Sequence, residues 1–189
     1  MERNSQDSQG YKLESQIREA YGRVVYTQTA HDKLVHRLLK RNERIKITQI
    51  VLSALTTGTF LATIISDEKL SGIIGAFLSL LLLILSTYAL NVNLVEIAEE
   101  HKKASNLLWK IREEYVSLLT DFEILDTQQI VEKRDELQNR TADVYKSSPR
   151  TDSKSYKETQ KALKTQEEQT FSEQEIDIML PNSIRRSNR

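Results

Sequence analysis

Few residues in this chain of 189 residues have a type and spacing that could support chemistry. Cysteine is absent, which excludes disulfides and thiolate metal sites. His31 and His36 are five positions apart and so fall on different faces of a helix, whereas a helical metal-binding pair needs a spacing of three or four. His101 is either a group that titrates near neutral pH or a structural histidine bonded to a neighbour. We therefore predict that the chain binds no metal.

Glycine and the nucleophilic residues give no catalytic pattern either. No serine or acidic pair stands in a recognisable catalytic setting, and Trp109 and Tyr115 are interpreted as packing groups of a helix. The five glycines match none of the loops that bind phosphate groups; they are Gly10, Gly22, Gly58, Gly72 and Gly75. These observations predict a protein that is not an enzyme, has no catalytic residues and uses no cofactor.

Polar residues recur every seven positions in the two most apolar stretches of the chain, residues 47–66 and 70–95. They are Gln49, Thr56 and Thr63 in the first stretch and Gly72, Ser79, Ser86 and Asn93 in the second. Seven positions are close to two helical turns, so each set forms a stripe along one side of a helix. In lipid, a polar side chain turns toward another helix or toward water. The stripes therefore either line a pore between several copies or fill the contact between the two helices.

Small residues recur every four positions in the same stretches. They are Ala54, Gly58 and Ala62 in the first and Ser71 and Gly75 in the second. Such ladders allow the backbones of membrane helices to approach closely. Close packing within one chain would account for them, but two ladders together with two polar stripes favour a homo-oligomer.

The two stretches have the length and composition of membrane-spanning helices. Neither contains a charged residue, and a span needs about 20 predominantly apolar residues. A soluble helical hairpin would carry charges on its outer faces. Only residues 66–69 separate or border the two stretches. The two stretches must therefore form a tight antiparallel hairpin. The second stretch has fifteen Leu, Ile, Val or Phe residues against nine in the first, so it is predicted to insert more strongly.

The distribution of basic residues indicates the orientation of this hairpin. Six lysines and arginines lie in residues 33–46 and three lysines in residues 102–110, whereas the connecting loop has only Lys69. Cytoplasmic segments are enriched in lysine and arginine. We therefore expect a multi-pass protein of the inner (cytoplasmic) membrane with both termini in the cytoplasm.

Long amphipathic helices are predicted on both sides of the hairpin. Apolar residues alternate at spacings of three and four between Leu13 and Ile45 and again between Leu94 and Leu125, which is the pattern of a coiled coil. A shorter run, Ile130, Leu137 and Val144, follows. The predicted fold class is an all-α membrane protein, a two-transmembrane hairpin whose long flanking cytoplasmic helices form an antiparallel stalk. The helix after the hairpin is expected to continue the second span without a break.

Charge differs between these two flanking segments. Residues 1–46 carry ten basic and six acidic groups, and residues 96–145 carry seven basic and twelve acidic groups. The first cytoplasmic helix and the helix after the hairpin are therefore expected to form ion pairs with each other. The same asymmetry argues against direct nucleic acid binding.

The predicted organisation has five segments: a disordered N-terminus (1–10), a cytoplasmic helix (11–46), the transmembrane hairpin (47–95), further cytoplasmic helices (96–145) and a disordered polar tail (146–189). The tail has too few apolar residues to form a core. Its last part, IDIMLPNSIRRSNR, is either a disordered apolar end or a short docking motif for a partner.

The order of these segments resembles the SLATT domain family, the SMODS and SLOG-associating two-transmembrane effectors. The resemblance covers residues 11 to about 145. It rests on the cytoplasmic helix YGRVVYTQTAHDKLVHRLLKRNERIKI, the close hairpin, and the following helix NVNLVEIAEEHKKASNLLWKIREEYVSLLTDFEIL, in which LLWKIREEYVSLLTD is the most similar part.

The resemblance implies an effector of a prokaryotic antiviral or conflict system. It implies a homo-oligomer that perforates or depolarises the inner membrane when a separate sensor or signal-producing protein triggers it. That protein would be a nucleotide-producing enzyme or a reverse transcriptase. The alternative is a non-toxic membrane anchor or scaffold that recruits cytoplasmic partners through its helices and tail.

Overall fold

The computed structural model describes residues 2–66 and 69–186, and every regular element in these two ranges is a helix. The elements are α1 (Glu2–Ser66), α2 (Lys69–Asn91), α3 (Leu94–Thr120), α4 (Thr127–Ser147), α5 (Ser153–Lys164), α6 (Glu173–Met179) and a final 3₁₀ turn (Asn182–Ile184). The all-α prediction is therefore confirmed.

Helix α1 is one unbroken helix of 65 residues that includes both the amphipathic segment before the hairpin and the first apolar stretch. At 1.5 Å per residue it is about 98 Å long. The only prolines of the chain are Pro149 and Pro181, so none interrupts it. The sequence predicted disorder over residues 1–10, and the structure describes residues 2–10 as the start of this helix, since a helix that is already formed extends into adjacent polar residues at little cost. Met1 lies outside the described residues.

The stalk is a bundle of α1, α3 and α4. Helix α1 packs against α3, and α4 returns along α3 after a turn at residues 121–126. The start of α4 is fixed by a capping box, in which Asp126 and Gln129 bond to each other's backbone. The core lies on the predicted seams and consists of Leu13, Ile17, Ala20, Val24, Leu108, Ile111, Tyr115, Leu118, Ile130, Leu137 and Val144.

The expectation that α3 continues the second span without a break is wrong. Helix α2 ends at Asn91 and α3 begins at Leu94, with Val92 and Asn93 between them. Asn93 is the N-cap of α3, and its side chain accepts a hydrogen bond from the Glu96 N–H. Asparagine is favoured at this position because its short side chain satisfies an N–H that has no partner inside the helix. The seam also shifts here, so that Ala98 is buried and Ile97 is exposed.

The two apolar stretches pair as an antiparallel hairpin of α1 and α2. Each contains a window that is long and apolar enough to cross a membrane, and no residue of either window is buried. Large side chains such as Ile65 and Leu90 are more than four-fifths exposed. Exposed apolar surface of this extent needs a lipid environment or a partner to cover it. By length and composition, two helices of the described residues can therefore cross a membrane.

The sequence predicted disorder over residues 146–189, and the structure describes much of this segment as helical. Helix α5 packs against α1, and its buried residues are Ser155, Thr159 and Ala162. Counting apolar residues could not reveal such a face, because these side chains are small and two of them are polar. Helix α6 follows, capped by Ser172 and Glu175. Residues 187–189 lie outside the described part of the chain.

Candidate functional site

The two polar stripes face each other across the hairpin. The Gln49 side-chain amide donates a hydrogen bond of 3.2 Å to the Ser86 hydroxyl. At the other end of the hairpin, a Cβ added to Gly72 would lie 3.7 Å from the Thr63 methyl group. Residues of the two stripes therefore meet within one chain at both ends of the spans.

The two small-residue ladders have different surroundings. A Cβ at Gly75 would lie 2.8 Å from the Thr59 hydroxyl, so α1 and α2 approach closely where Gly75 stands, and Ser71 is half-buried one turn away. Gly58 has nothing within 4 Å of its Cβ position, and Ala54 is exposed, although Ala62 is half-buried. At Gly58 and Ala54 the first ladder therefore faces away from α2.

An open groove of about 370 Å³ runs along one side of the hairpin. It contains four of the predicted stripe residues, Thr56, Thr63, Gly72 and Ser79, but not Gln49, Ser86 or Asn93. The complete lining is Thr56, Thr57, Phe60, Thr63, Ser71, Gly72, Gly75, Ala76 and Ser79. The lining is mixed, with the hydroxyl groups of threonines and serines set among small apolar groups and Phe60. Hydroxyl groups within a membrane span are suited to contact water or another helix.

The threonines of this groove are satisfied as donors by their own helix. Thr56 donates to the Leu52 carbonyl at 2.8 Å, and Thr63 donates to the Thr59 carbonyl at 2.8 Å. A hydroxyl that donates in this way still has lone pairs to accept hydrogen bonds. The groove wall therefore carries no charge and offers acceptor oxygens.

Asn93 does not belong to the polar stripe in the structure. Besides capping α3, its amide donates a hydrogen bond of 3.0 Å to the Glu96 carboxylate. The heptad spacing from Ser86 suggested one continuous helix, and the break at residues 92–93 removes that continuity. Asn93 is a structural residue at the border between hairpin and stalk.

A second contact lies at the same border. Arg41 donates a hydrogen bond of 2.7 Å to the Tyr88 hydroxyl, and its guanidinium lies 5.7 Å from the centre of the Tyr88 ring. Arginine and tyrosine are suited to the membrane interface because each combines an apolar body with a polar end. This pair joins α1 to α2 where the apolar stretches end.

Sequence reasoning missed a buried histidine pair between α1 and α3. The Nδ1 atoms of His31 and His101 lie 2.9 Å apart, and each side chain is 3% exposed. Burial, together with the charge of His101, lowers the pKa of His31 to about 4. Burial also lowers the pKa of His101, while the charges of Glu100 and Asp152 act in the opposite direction. Both positions were on the predicted seams, but nothing in the sequence indicated that they meet.

The stalk helices are also joined by a hydrogen bond of 2.6 Å from the Ser105 hydroxyl to the Asp32 carboxylate. The predicted ion pairs between α1 and α3 are wrong for the described residues, in which none joins these two helices. The basic residues of α1 instead contact the C-terminal segment, where Arg37 binds Asp152 and Glu158.

The acidic face of α3 is paired with α4. Arg140 binds both carboxylate oxygens of Glu114, one of them at 2.7 Å. The hydrogen bond from Arg140 lowers the pKa of Glu114, although burial acts in the opposite direction. Within residues 2–66 and 69–186, no three histidine or acidic side chains are placed to hold a metal ion.

Two apolar helices paired as a hairpin and joined to a helical stalk are the architecture of a small two-transmembrane protein. The model of the SMODS and SLOG-associating 2TM effector domain family 4 matches residues 13–175, and the chain belongs to this family. The match extends past the predicted limit near residue 145 and includes α5. Neither the comparison with curated proteins nor that with solved structures gave a match.

Proposed function

We propose that the protein is a membrane effector of a prokaryotic antiviral or conflict system. Several copies assemble in the inner membrane and form an opening that depolarises the cell when a separate sensor or signal-producing protein triggers them. The family supports the effector role and the membrane location. The stalk, the N-terminus and the C-terminal helices lie on the cytoplasmic side, as the basic residues of the flanking segments indicate.

The groove of the hairpin, with its uncharged hydroxyl groups, is the observation that carries the proposal. Two helices cannot enclose a conduit by themselves, so an opening needs several hairpins arranged around a common axis. The groove is open on one side, and its wall includes Thr56, Thr57 and Ser79. When hairpins turn this side toward the axis, the wall consists of hydroxyl groups together with small apolar groups and Phe60, and the other faces of the spans contact lipid. A pore wall without rings of charged side chains discriminates weakly between ions.

Substitutions in the groove test the proposal. We expect Thr56→Leu combined with Ser79→Leu to leave membrane insertion unchanged and to abolish depolarisation of cells that over-express the full chain. Leucine at these two positions fills the middle of the groove and removes two of its hydroxyl groups without replacing Gln49 or Ser86, whose contact lies elsewhere in the hairpin. Membrane potential is read with a voltage-sensitive dye, and insertion is read by carbonate extraction.

Ser53→Leu is the matched control, because Ser53 is exposed on α1 and lies outside the groove lining. This control should depolarise cells as strongly as the unchanged chain. Depolarisation by the groove variant at the level of the control would show that the groove is not the conduit. Tolerance of the unchanged chain at all expression levels would favour a membrane anchor instead.

A further inference from the structure

We propose that residues 152–169, here called the strap, form a releasable latch on the stalk, and that detachment of the strap opens the assembly in the membrane. This inference rests on the proposed function, since it assigns a regulator to the same opening. The strap consists of Asp152, helix α5 and the turns that follow it. It contacts both long helices of the stalk.

Arg37 of α1 is the first attachment point of the strap. Its guanidinium donates to Asp152 at 2.5 Å, to Glu158 at 2.8 Å and to the Ser155 hydroxyl at 3.0 Å. Burial raises the pKa of the Asp152 carboxyl, but hydrogen bonds from Ser155 and Arg37 outweigh this and hold the pKa at about 2. One cation of α1 therefore binds two anions of the strap.

The other end of the strap connects α1 to α3. Lys33 donates to both carboxylate oxygens of Glu168, at 2.9 and 2.7 Å. The Gln169 amide donates to the Thr29 hydroxyl at 3.0 Å, and its carbonyl accepts from Arg112 at 2.5 Å. Because Thr29 lies on α1 and Arg112 on α3, the strap joins the two stalk helices.

Polar contacts rather than apolar burial hold the strap in place. The buried face of α5 is Ser155, Thr159 and Ala162. The main aromatic contact is between Tyr156 and Tyr26 of α1, whose ring centres lie 5.0 Å apart, and Tyr156 remains 56% exposed. The Thr159 hydroxyl is buried without a hydrogen-bond partner among the described residues, which disfavours the bound position. Ion pairs between partly exposed side chains weaken with salt and are readily displaced by a competing charged surface.

Backbone strain is located at the end of the strap. Glu167 has a φ of 51° and Gln169 a φ of 71°, in the left-handed region that favours glycine. The two residues flank Glu168, which binds Lys33. A conformation of this kind persists only where surrounding contacts impose it. The contacts to Lys33, Thr29 and Arg112 therefore oppose a local tendency of the chain to detach.

The position of Arg37 connects the strap to the spans. Helix α1 runs without a break from Arg37 to Gln49, a distance of about 18 Å at 1.5 Å per residue. A change in the angle of α1 within the stalk is thus transmitted to the first span. The break at residues 92–93 between α2 and α3 lets the hairpin change its angle to the stalk while α3 keeps its own structure.

A charge reversal with a compensating reversal tests the latch in the full chain. Arg37→Glu should detach the strap, and adding Asp152→Asn and Glu158→Arg should restore it, since asparagine keeps the N-cap of α5 that Asp152 provides. The matched control is Arg18→Glu, which removes an exposed ion pair of the same helix with Glu14. Strap position is measured by the spin-label distance between Lys40→Cys and Lys161→Cys, since the chain has no other cysteine.

Opening is measured in parallel as dye release from vesicles that contain each variant. We expect Arg37→Glu to broaden the spin-label distance and to raise dye release about tenfold, and the compensated variant and Arg18→Glu to match the unchanged chain. An unaltered distance in Arg37→Glu would overturn the latch. The unchanged chain should release dye when its concentration in the vesicles is raised. If it does, and if Arg37→Glu detaches the strap without changing dye release, then the strap does not control the opening, while the proposed function stands. Absence of release from every variant would overturn the proposed function.

Discussion

His31 and His101 face each other across α1 and α3, with their Nδ1 atoms 2.9 Å apart although they are separated by 70 positions in the chain. One ring donates the hydrogen bond and the other accepts it, so the contact exists only while the pair keeps an unprotonated nitrogen between the rings. The contact joins the two longest helices of the stalk beside the Asp32–Ser105 hydrogen bond. It therefore fixes the register of α1 against α3.

The lowered pKa values of this pair predict that the stalk loses stability in acid. Below pH 6.5 the unfolded chain binds protons at His31, while the folded chain resists them until about pH 4. The free energy of unfolding is therefore unaffected by the protonation of His31 above pH 6.5 and decreases as the pH falls from 6.5 to 4. The total decrease due to His31 is on the order of 3 kcal/mol. Thermal unfolding of the full chain in detergent, followed by circular dichroism, measures this loss.

Two variants make the acid experiment specific. Replacing both His31 and His101 by glutamine should remove most of the dependence between pH 6.5 and pH 4. His36→Gln should retain it, because His36 is exposed. An equal dependence in the double variant would show that other groups cause the loss.

The contact between Thr59 and Gly75 predicts a position in the spans that requires glycine. A Cβ at Gly75 would lie 2.8 Å from the Thr59 hydroxyl, and threonine is stiff about χ1, so the helices must separate to accept alanine. We expect Gly75→Ala to destabilise the hairpin by about 1–3 kcal/mol, as overpacking does. Reversible unfolding in detergent gives the free-energy change.

The partner substitution and a distant glycine provide the controls for this contact. Thr59→Ala combined with Gly75→Ala should recover most of the lost stability, because the clash is between these two side chains. Gly58→Ala should be nearly neutral, since nothing lies within 4 Å of its Cβ position. Equal effects of Gly58→Ala and Gly75→Ala would contradict the close approach.

Periodicity identified the parts of this fold that depend on local spacing. The seams through Ile17, Val24, Leu108 and Tyr115 were readable because apolar residues recur at three and four positions. The same reasoning placed Asn93 on a continuous helix, since a spacing of seven cannot distinguish a stripe residue from a cap. Periodicity does not reveal a helix break that is stabilised by a single capping side chain.

Contacts between distant parts of the chain were beyond sequence reasoning. The strap buries small side chains such as Ser155 and Thr159, so its composition is that of a disordered tail. Its contact with Arg37, which holds it in place, joins residues far apart in the sequence. Its acidic residues were assigned no partner, and those of α3 were assigned to α1. Net charges of whole segments do not determine which individual side chains meet, because each ion pair depends on local geometry.

The positions of the basic residues predict the topology of the hairpin. A cysteine at Lys69 should react with a membrane-impermeant maleimide in intact cells, because the proposed topology turns this end of the hairpin outward. A cysteine at Lys40 or Lys154 should react only after the cells are permeabilised, since the same topology puts the stalk and α5 in the cytoplasm. Labelling of Lys40→Cys in intact cells would reverse the orientation.

The hydrogen bond between Gln49 and Ser86 predicts which stripe residues contact each other within one hairpin and which are open to a second copy. Gln49→Cys combined with Ser86→Cys should form a disulfide within one chain, because these side chains touch across α1 and α2. Ala54→Cys combined with Ser86→Cys should not do so, since Ala54 is exposed on α1. Ser79→Cys alone lies in the open groove and should cross-link two copies, which doubles the apparent mass on a gel without reductant. Dimers from Gln49→Cys and Ser86→Cys, with none from Ser79→Cys, would place the groove against lipid and exclude it from any interface between copies.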